Sequence, residues 1–367
     1  MRVIVTGGGT GGHIYPALAI ADKIMEREPD SEVLYIGNYG CIEEEIVPKA
    51  GYDLRLVAAS SIDRRSLKRL FNSGKEILQG ISQSKRIMKE FRPDVVIGTG
   101  GFVCVPVVIA GHSFGARCYL HEQNAYAGAA NKLLESRVKR IFLGFGDAAK
   151  YFKDESKTMY VGNPVRKAFY DADRAIARRR LGIPEDDFVI FLFGGSQGSE
   201  ILNEVGIEIL KTVNSHKGMS FIFGTGKRHC GFVKEEAAAK GIQTGSNVMI
   251  KDYIDNMPDH LAASDLVISR SGALSVAETT VCGKASIMVP FAEAAGNHQY
   301  YNAKAVADNG GCYLIEESDL DKEDVIRKIL KLYNDRELLS RMSRAALECA
   351  PVNTCDTIYA EIKKNER

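Results

Sequence analysis

No two of the chain's eight cysteines stand at the CxxC spacing of a zinc site or a redox pair. They read as reduced, mostly buried thiols, with no disulfide and no structural zinc expected. No run approaches the roughly 18 consecutive apolar residues of a membrane-spanning helix. The opening MRVIVTGG lacks the apolar stretch and small-residue cleavage site of a secretory signal, so a cytosolic chain is expected. Charge of one sign is missing too: 48 Lys and Arg face 47 Asp and Glu, a net charge of +1. That balance gives no global bias toward nucleic acid, and any charge-driven partner must be met by a local patch.

What is present is core-forming material for two domains, 45% hydrophobic residues in a chain of 367. Short β-branched runs such as RVIVT, EVLYIG, DVVIG and RIFLGF alternate with helix-length segments. That alternation predicts βαβ units and a parallel sheet with helices on both faces. After Gly162-Asn163-Pro164 the pattern restarts with FVIFLFGG, FIFGTG, NVMIKDY, DLVISR and ASIMVP. The reading is therefore α/β, two doubly wound Rossmann-like domains in series, at 1–163 and 164–343. Residues 344–367 are helical in pattern and suit packing on either domain, with the first as the expectation.

Glycine loops mark the strand ends. Gly7, Gly9 and Gly12 satisfy GxGxxG between a strand and a helix, where bare backbone can approach a phosphate or a sugar. A dinucleotide site would want an acidic residue about 20 positions on, at the end of the second strand, and EVLYIGN ends in Gly37 and Asn38 instead. Pro16 suits the first turn of the following helix. His13 stands at the mouth of that helix, either as a capping residue or as a chemical group. GTGGF at Gly98–Phe102 and HEQN at His121–Asn124 close two further strands on the same edge. They are ordinary βα turns or the walls of a site for a large ligand.

In the second half, Gly194-Gly195-Ser196-Gln197-Gly198 has the composition of a diphosphate cradle without the spacing of a Walker loop. SRSGALSVAE, Ser269–Glu278, opens a helix on small residues. It carries Glu278 about one and a half turns in, suited to both hydroxyls of a ribose or simply to solvent. PFAEAAGNHQYYNA sets His298, Gln299 and Asn302 at the start of another helix, and amides both donate to and accept from sugar hydroxyls.

With GGTGGHIYPALA, GTGGF, HEQN, GNPVR, GGSQG, SRSGALSVAE and NHQYYNA in this order, the chain resembles the N-acetylglucosaminyltransferases of glycosyltransferase family 28. The resemblance spans residues 6 to 303. It implies a GT-B fold with an interdomain cleft, the lipid acceptor on the first domain and the UDP-sugar on the second. It also implies inverting transfer of GlcNAc from UDP-GlcNAc to the 4-hydroxyl of MurNAc in undecaprenyl-diphospho-MurNAc-pentapeptide (lipid I), giving lipid II for peptidoglycan synthesis. By the resemblance Thr10, Gly11 and Gly12 face the transferred sugar and Asn124 contacts it. Arg166 and Ser196 hold the diphosphate and uridine side, and Ile254 lies near the uracil. Ala273, Leu274, Ser275, Val276, Ala277 and Glu278 cover sugar, phosphate and ribose, and Gln299 touches the sugar. The chain departs from the family at His298, where some members carry glutamine, and at Phe102, often tyrosine.

Inversion needs a base on the acceptor hydroxyl and stabilisation of the leaving diphosphate. No DxD-like pair lies beside the second glycine cradle. Helix dipole, loop N–H groups and Arg166 are therefore expected to serve, with no metal or cofactor. His13 is the expected base, since imidazole titrates near working pH, and Glu122 is the second candidate.

Residues 63–92 hold nine Lys/Arg against three Asp/Glu, interleaved with Leu67, Leu70, Phe71, Ile77, Leu78, Ile81, Ile87 and Met88. That patch suits an anionic bilayer, placing the enzyme peripherally on the cytoplasmic face of the membrane. It equally suits a domain helix with a solvated basic face. The competing readings are a GT-B transferase for another nucleotide sugar or lipid, and a non-catalytic nucleotide-sugar binding protein.

Overall fold

The β-branched runs form the strands of two separate sheets, every neighbouring pair parallel. The computed structural model describes residues 1–60, 67–195, 197–242 and 245–364. The chain divides into one unit of Met1–Arg166 with Pro351–Arg367 and a second of Lys167–Ala350.

The first unit carries β1 (Arg2–Thr6), β2 (Glu32–Asn38), β3 (Asp53–Val57), β4 (Val95–Gly98), β5 (Arg117–Glu122), β6 (Arg140–Leu143) and β7 (Thr158–Tyr160). They lie in the order β3-β2-β1-β4-β5-β6-β7. Both faces are covered, which is why the strands read as unbroken apolar runs. Val3 and Val5 pack with Ile14, Ala17, Leu18 and Ile24 of the Gly11–Arg27 helix and with Ile358 and Ile362 of the Thr354–Lys364 helix. Ile4 and Val96, on the opposite face, meet Val105 and Val108 of the Cys104–Ser113 helix and Met88 of the Leu67–Phe91 helix.

The C-terminal segment does not rejoin the first unit as one helix from Arg344. Residues 344–348 finish the Arg336–Glu348 helix of the second unit. Pro351, which lacks an N–H, and Asn353, at φ 58°, then break the path. Only Thr354–Lys364 returns, pinned by Lys23 and Arg27 to Asp356 and by the Tyr359 hydroxyl, which donates to Glu28. The expected place of Pro16 also needs correction. The helix begins at Gly11, so Pro16 lies beyond the first turn and denies the Gly12 carbonyl its intrahelical donor. The helix starts early because His13 and Ile14 both donate to the Thr10 carbonyl.

The second unit carries β8 (Phe188–Phe193), β9 (Met219–Gly224), β10 (Val248–Lys251), β11 (Leu266–Ser269), β12 (Ala285–Met288) and β13 (Cys312–Leu314) in the order β10-β9-β8-β11-β12-β13. Arg178, 1% exposed, donates to the carbonyls of Pro184, Glu185, Asp187 and Ala263 and pairs with Asp265. Asp265 also accepts from Val189 N–H at the start of β8.

In each unit the strand order reverses once, at β1/β4 and at β8/β11. Thr6 lies opposite Gly98 and Phe193 opposite Ser269. The loops that leave these four strand ends are where doubly wound sheets bind ligands, and they are the glycine loops.

Candidate active site

The first and second glycine loops touch each other. Gly8 N–H donates to the Gly100 carbonyl at 3.2 Å. Gly101, at φ +81°, lies so close that a Cβ there would sit 2.5 Å from the Gly8 carbonyl oxygen. Only two residues without side chains pack this way. Tyr35 donates from β2 to the Gly7 carbonyl at 2.6 Å, and Thr99 Oγ1 donates to the His13 carbonyl at 2.7 Å. Between them the loop is tied on both sides. Thr10 is exposed, and no side chain caps the helix it begins. The N–H groups of Gly11 and Gly12 thus head a 17-residue helix, an arrangement that favours negative charge.

His13 is half-buried at this mouth, its Nδ1 2.9 Å from the Gly8 carbonyl. A carbonyl only accepts, so Nδ1 carries the proton, and in the neutral ring Nε2 holds the lone pair. Nε2 borders Gly100, where a Cβ would meet it at 3.0 Å.

Glu122, at the end of β5, is 2% exposed. One oxygen accepts from Asn124 N–H at 3.1 Å and Asn124 Nδ2 at 3.4 Å, the other from Gly128 N–H and Asn131 Nδ2, both at 2.8 Å. Its chemistry here is that of an acceptor around which the loop presenting Asn124 is wound. His121, wholly buried, donates from Nε2 to the Gly162 carbonyl at 3.0 Å, and burial pushes its pKa down to about 4. Cys104 backs the second loop, its thiol donating to the Thr6 and Gly100 carbonyls, with burial pushing it up to about 12.

In the second unit, Gly195 and Gly198 take φ +87° and +81°. Gly198 abuts Gly226 of the loop after β9, and a Cβ on it would sit 2.3 Å from the Thr225 carbonyl oxygen. Ser196 lies outside the described residues. The Glu200–Ser215 helix that follows begins at Ser199 without a side-chain cap, as does the Ala273–Val281 helix at Gly272. Two uncapped helix N-termini therefore adjoin the β8/β11 switch. Ala273, Leu274, Val276 and Ala277 are buried, while Ser275 and Glu278 are half-exposed on the same helix. Gln299 is bound to this turn: its carbonyl accepts from Ser271 Oγ at 2.8 Å and its Oε1 from Phe291 N–H at 3.0 Å. Ile254 packs on Gly224 at the end of β9. His298 turns back to the Ala295 carbonyl at 2.9 Å, and Phe102 is 45% exposed.

Arg166 stacks over the Tyr15 ring at 4.5 Å, within the first unit. In the basic segment, residues 63–66 and the side chains of 67–73 lie outside the described residues. From there on, Gly80, Ser84 and Met88 are buried at helical spacing, Lys75, Lys85, Arg86 and Lys89 are exposed, and Leu78 is 69% exposed.

Glu43 escaped the sequence reading. It is fully buried beneath the first loop, its Oε1 accepting from Gly9 N–H at 3.2 Å. An acid does reach the region beyond β2, but from the Glu43–Lys49 helix and not from the strand end. The acidic triplet Glu43-Glu44-Glu45 was the available signal.

Two doubly wound units with glycine loops at their switch points are the building blocks of the GT-B fold. The family 28 glycosyltransferase N-terminal domain matches residues 3–143, and the corresponding C-terminal domain matches 189–354. The chain is 40% identical to the UDP-N-acetylglucosamine–N-acetylmuramyl-(pentapeptide) pyrophosphoryl-undecaprenol N-acetylglucosamine transferase of Alkaliphilus oremlandii, over 99% of this chain and 98% of that one. The fold is similar to that of the crystal structure of MurG from Acinetobacter baumannii, with a TM-score of 0.74, 24% identity and 99% of each chain covered. It is also similar to that of a UDP-GlcNAc 2-epimerase from Neisseria meningitidis bound to UDP-GlcNAc, with a TM-score of 0.71, 14% identity and both chains fully covered. This chain belongs to glycosyltransferase family 28, among its pyrophosphoryl-undecaprenol N-acetylglucosamine transferases.

Proposed function

We infer that the chain transfers GlcNAc from UDP-GlcNAc to the 4-hydroxyl of MurNAc in lipid I, with inversion, to form lipid II. The observation that carries the chemistry is the His13 imidazole, whose Nδ1 proton is committed to the Gly8 carbonyl, leaving Nε2 as acceptor at the loop surface. Nε2 takes the acceptor hydroxyl proton while that oxygen attacks the anomeric carbon, and the bond from that carbon to the UDP phosphate oxygen breaks. Glu122 is bound by four N–H contacts and serves by holding Asn124 toward the sugar.

The departing UDP leaves negative charge, which the N-termini of the Glu200–Ser215 and Ala273–Val281 helices stabilise. Glu278 accepts the ribose hydroxyls, Ile254 lies on the uracil, Gln299 holds the sugar, and Arg166 and Ser196 act on the diphosphate side. The first unit takes the lipid and the second the nucleotide sugar.

The test is a transfer assay with UDP-GlcNAc and a lipid I analogue, with product stereochemistry read by NMR. Formation of a β-linked GlcNAc-MurNAc product supports the assignment. Turnover only with another sugar nucleotide or another lipid refutes it.

No helix among the described residues is long and apolar enough to cross a membrane. The enzyme acts peripherally, on the cytoplasmic face, through the basic and apolar residues of 63–92. Exposed Lys75, Lys85, Arg86 and Lys89 with Leu78 support this, each basic group near an anionic surface contributing about 1 kcal/mol. Charge reversal at Arg64, Arg65, Lys68 and Arg69 should release the protein from anionic liposomes in flotation. Binding indifferent to that change or to anionic lipid content would count against the patch.

A further inference from the structure

Gln123 follows Glu122 off β5 and is 2% exposed. Its backbone carbonyl accepts from Asn163 Nδ2 at 3.0 Å. Its amide nitrogen lies 2.7 Å from the Thr99 carbonyl and 3.2 Å from the His121 carbonyl, with His121 Nδ1 at 3.0 Å. Carbonyls accept only, so the NH2 must face them, and the amide oxygen is turned the other way. His121 reinforces the choice: its Nε2 proton goes to the Gly162 carbonyl, which leaves Nδ1 as an acceptor for the same amide.

The freed oxygen faces the second loop. At Gly100, φ +103°, a Cβ would sit 3.0 Å from His13 Nε2 and 3.3 Å from Gln123 Oε1. The lone-pair edge of the imidazole and a fixed amide oxygen therefore flank one bare stretch of backbone. We propose that Gln123 is a positioning residue for the transfer reaction, its amide oxygen aimed by Thr99 and His121 so as to stabilise the imidazolium that His13 becomes on taking the proton.

This rests on His13 being the base. Other titratable or charged groups on the surrounding elements are Glu43 beneath Gly8, Cys104 behind Gly100, His121 and Glu122 on β5, and Tyr15 and Arg166 beside the first helix. Glu43 binds Gly9, Glu122 binds its own loop, and Cys104 binds carbonyls. Gln123 is distinguished from these by an oxygen whose direction is imposed and which faces the same Gly100 backbone as His13 Nε2.

The test is ¹⁵N-histidine NMR on the full chain, with kcat measured against pH. Wild-type enzyme should show His13 as the Nδ1–H tautomer and His121 as the Nε2–H tautomer. In Gln123→Met the midpoint of the His13 titration should fall by about half a pH unit, the scale of losing one amide dipole near a charge, short of a direct hydrogen bond to it. The acid limb of kcat should move with it, and plateau kcat should drop several-fold at unchanged KM for UDP-GlcNAc. A folded Gln123→Met variant with an unmoved midpoint overturns the proposal alone. The opposite tautomer at either histidine in the wild-type protein also overturns it, and needs no variant to fold. His13→Ala with near-normal kcat overturns the base assignment and the proposal with it.

Discussion

Replacing Glu122 by glutamine separates two roles that a carboxylate at a strand end can play. All four of its contacts come from N–H donors: Asn124 N and Nδ2, Gly128 N and Asn131 Nδ2. A glutamine keeps the shape but must set its own NH2 against two of them, whichever way it turns. The cheaper orientation gives up the longer Asn124 pair and keeps Gly128 and Asn131, now bound to a neutral oxygen. A hydrogen bond to a charged group contributes about 1.5–3 kcal/mol, and a buried donor left unmatched costs about 1–3 kcal/mol. Glu122→Gln should therefore destabilise the first unit by about 2–4 kcal/mol, lowering its melting temperature by roughly 5–12 °C. Urea unfolding followed by far-UV circular dichroism measures the loss. Transfer kinetics at 25 °C should show kcat reduced only several-fold, through Asn124, with UDP-GlcNAc affinity intact. If the variant instead unfolds at the wild-type urea midpoint while kcat falls a hundredfold or more, the carboxylate is doing proton chemistry and the scaffold reasoning is wrong.

The buried His121 links stability to pH. Burial holds its folded-state pKa near 4, below the unfolded value of about 6.5, so the unfolded chain binds the proton first. Its contribution is complete above about pH 6.5 and is lost as pH falls toward 4, on the order of 3 kcal/mol. His121→Gln should flatten the pH dependence of the urea midpoint over that window, and an unchanged slope would refute the assignment. In the second unit, Gly198→Ala would place a Cβ 2.3 Å from the Thr225 carbonyl oxygen at φ +81°, so the loop must move. Calorimetry should show UDP-GlcNAc binding weakened at least tenfold, and wild-type affinity would show that this loop does not hold the nucleotide. His13→Ala should lower kcat by about 10²–10⁴, the usual worth of general base catalysis, with UDP-GlcNAc affinity unchanged in the same calorimetric assay.

The places where the sequence reading stopped short share a cause. Pro16 was expected in the first turn because proline favours it, yet the helix starts at Gly11 because the Thr10 carbonyl is already engaged by His13 and Ile14. The acid missing from the end of β2 is supplied by Glu43 from a following helix, a contact that spacing along one strand cannot register. The C-terminal helical pattern runs on past Glu348, but the path is broken by the Pro351–Asn353 turn, so that its two halves serve different units.

Apolar runs and glycine spacing by themselves determined the two parallel sheets, the helix-covered faces and the loops at the strand ends. Those properties arise from local preference and from burial on both faces of a sheet, and both are written in consecutive residues. Tertiary structure alone decided which polar atoms meet: Nδ1 of His13 on Gly8, the four donors around Glu122, the amide of Gln123 on Thr99. Roles of acceptor, base or scaffold depend on how each loop folds back on its own strand end, as at His13 and Glu122, or meets a neighbouring one, as Gln123 meets Thr99, and a buried polar group takes its chemistry from whatever satisfies it.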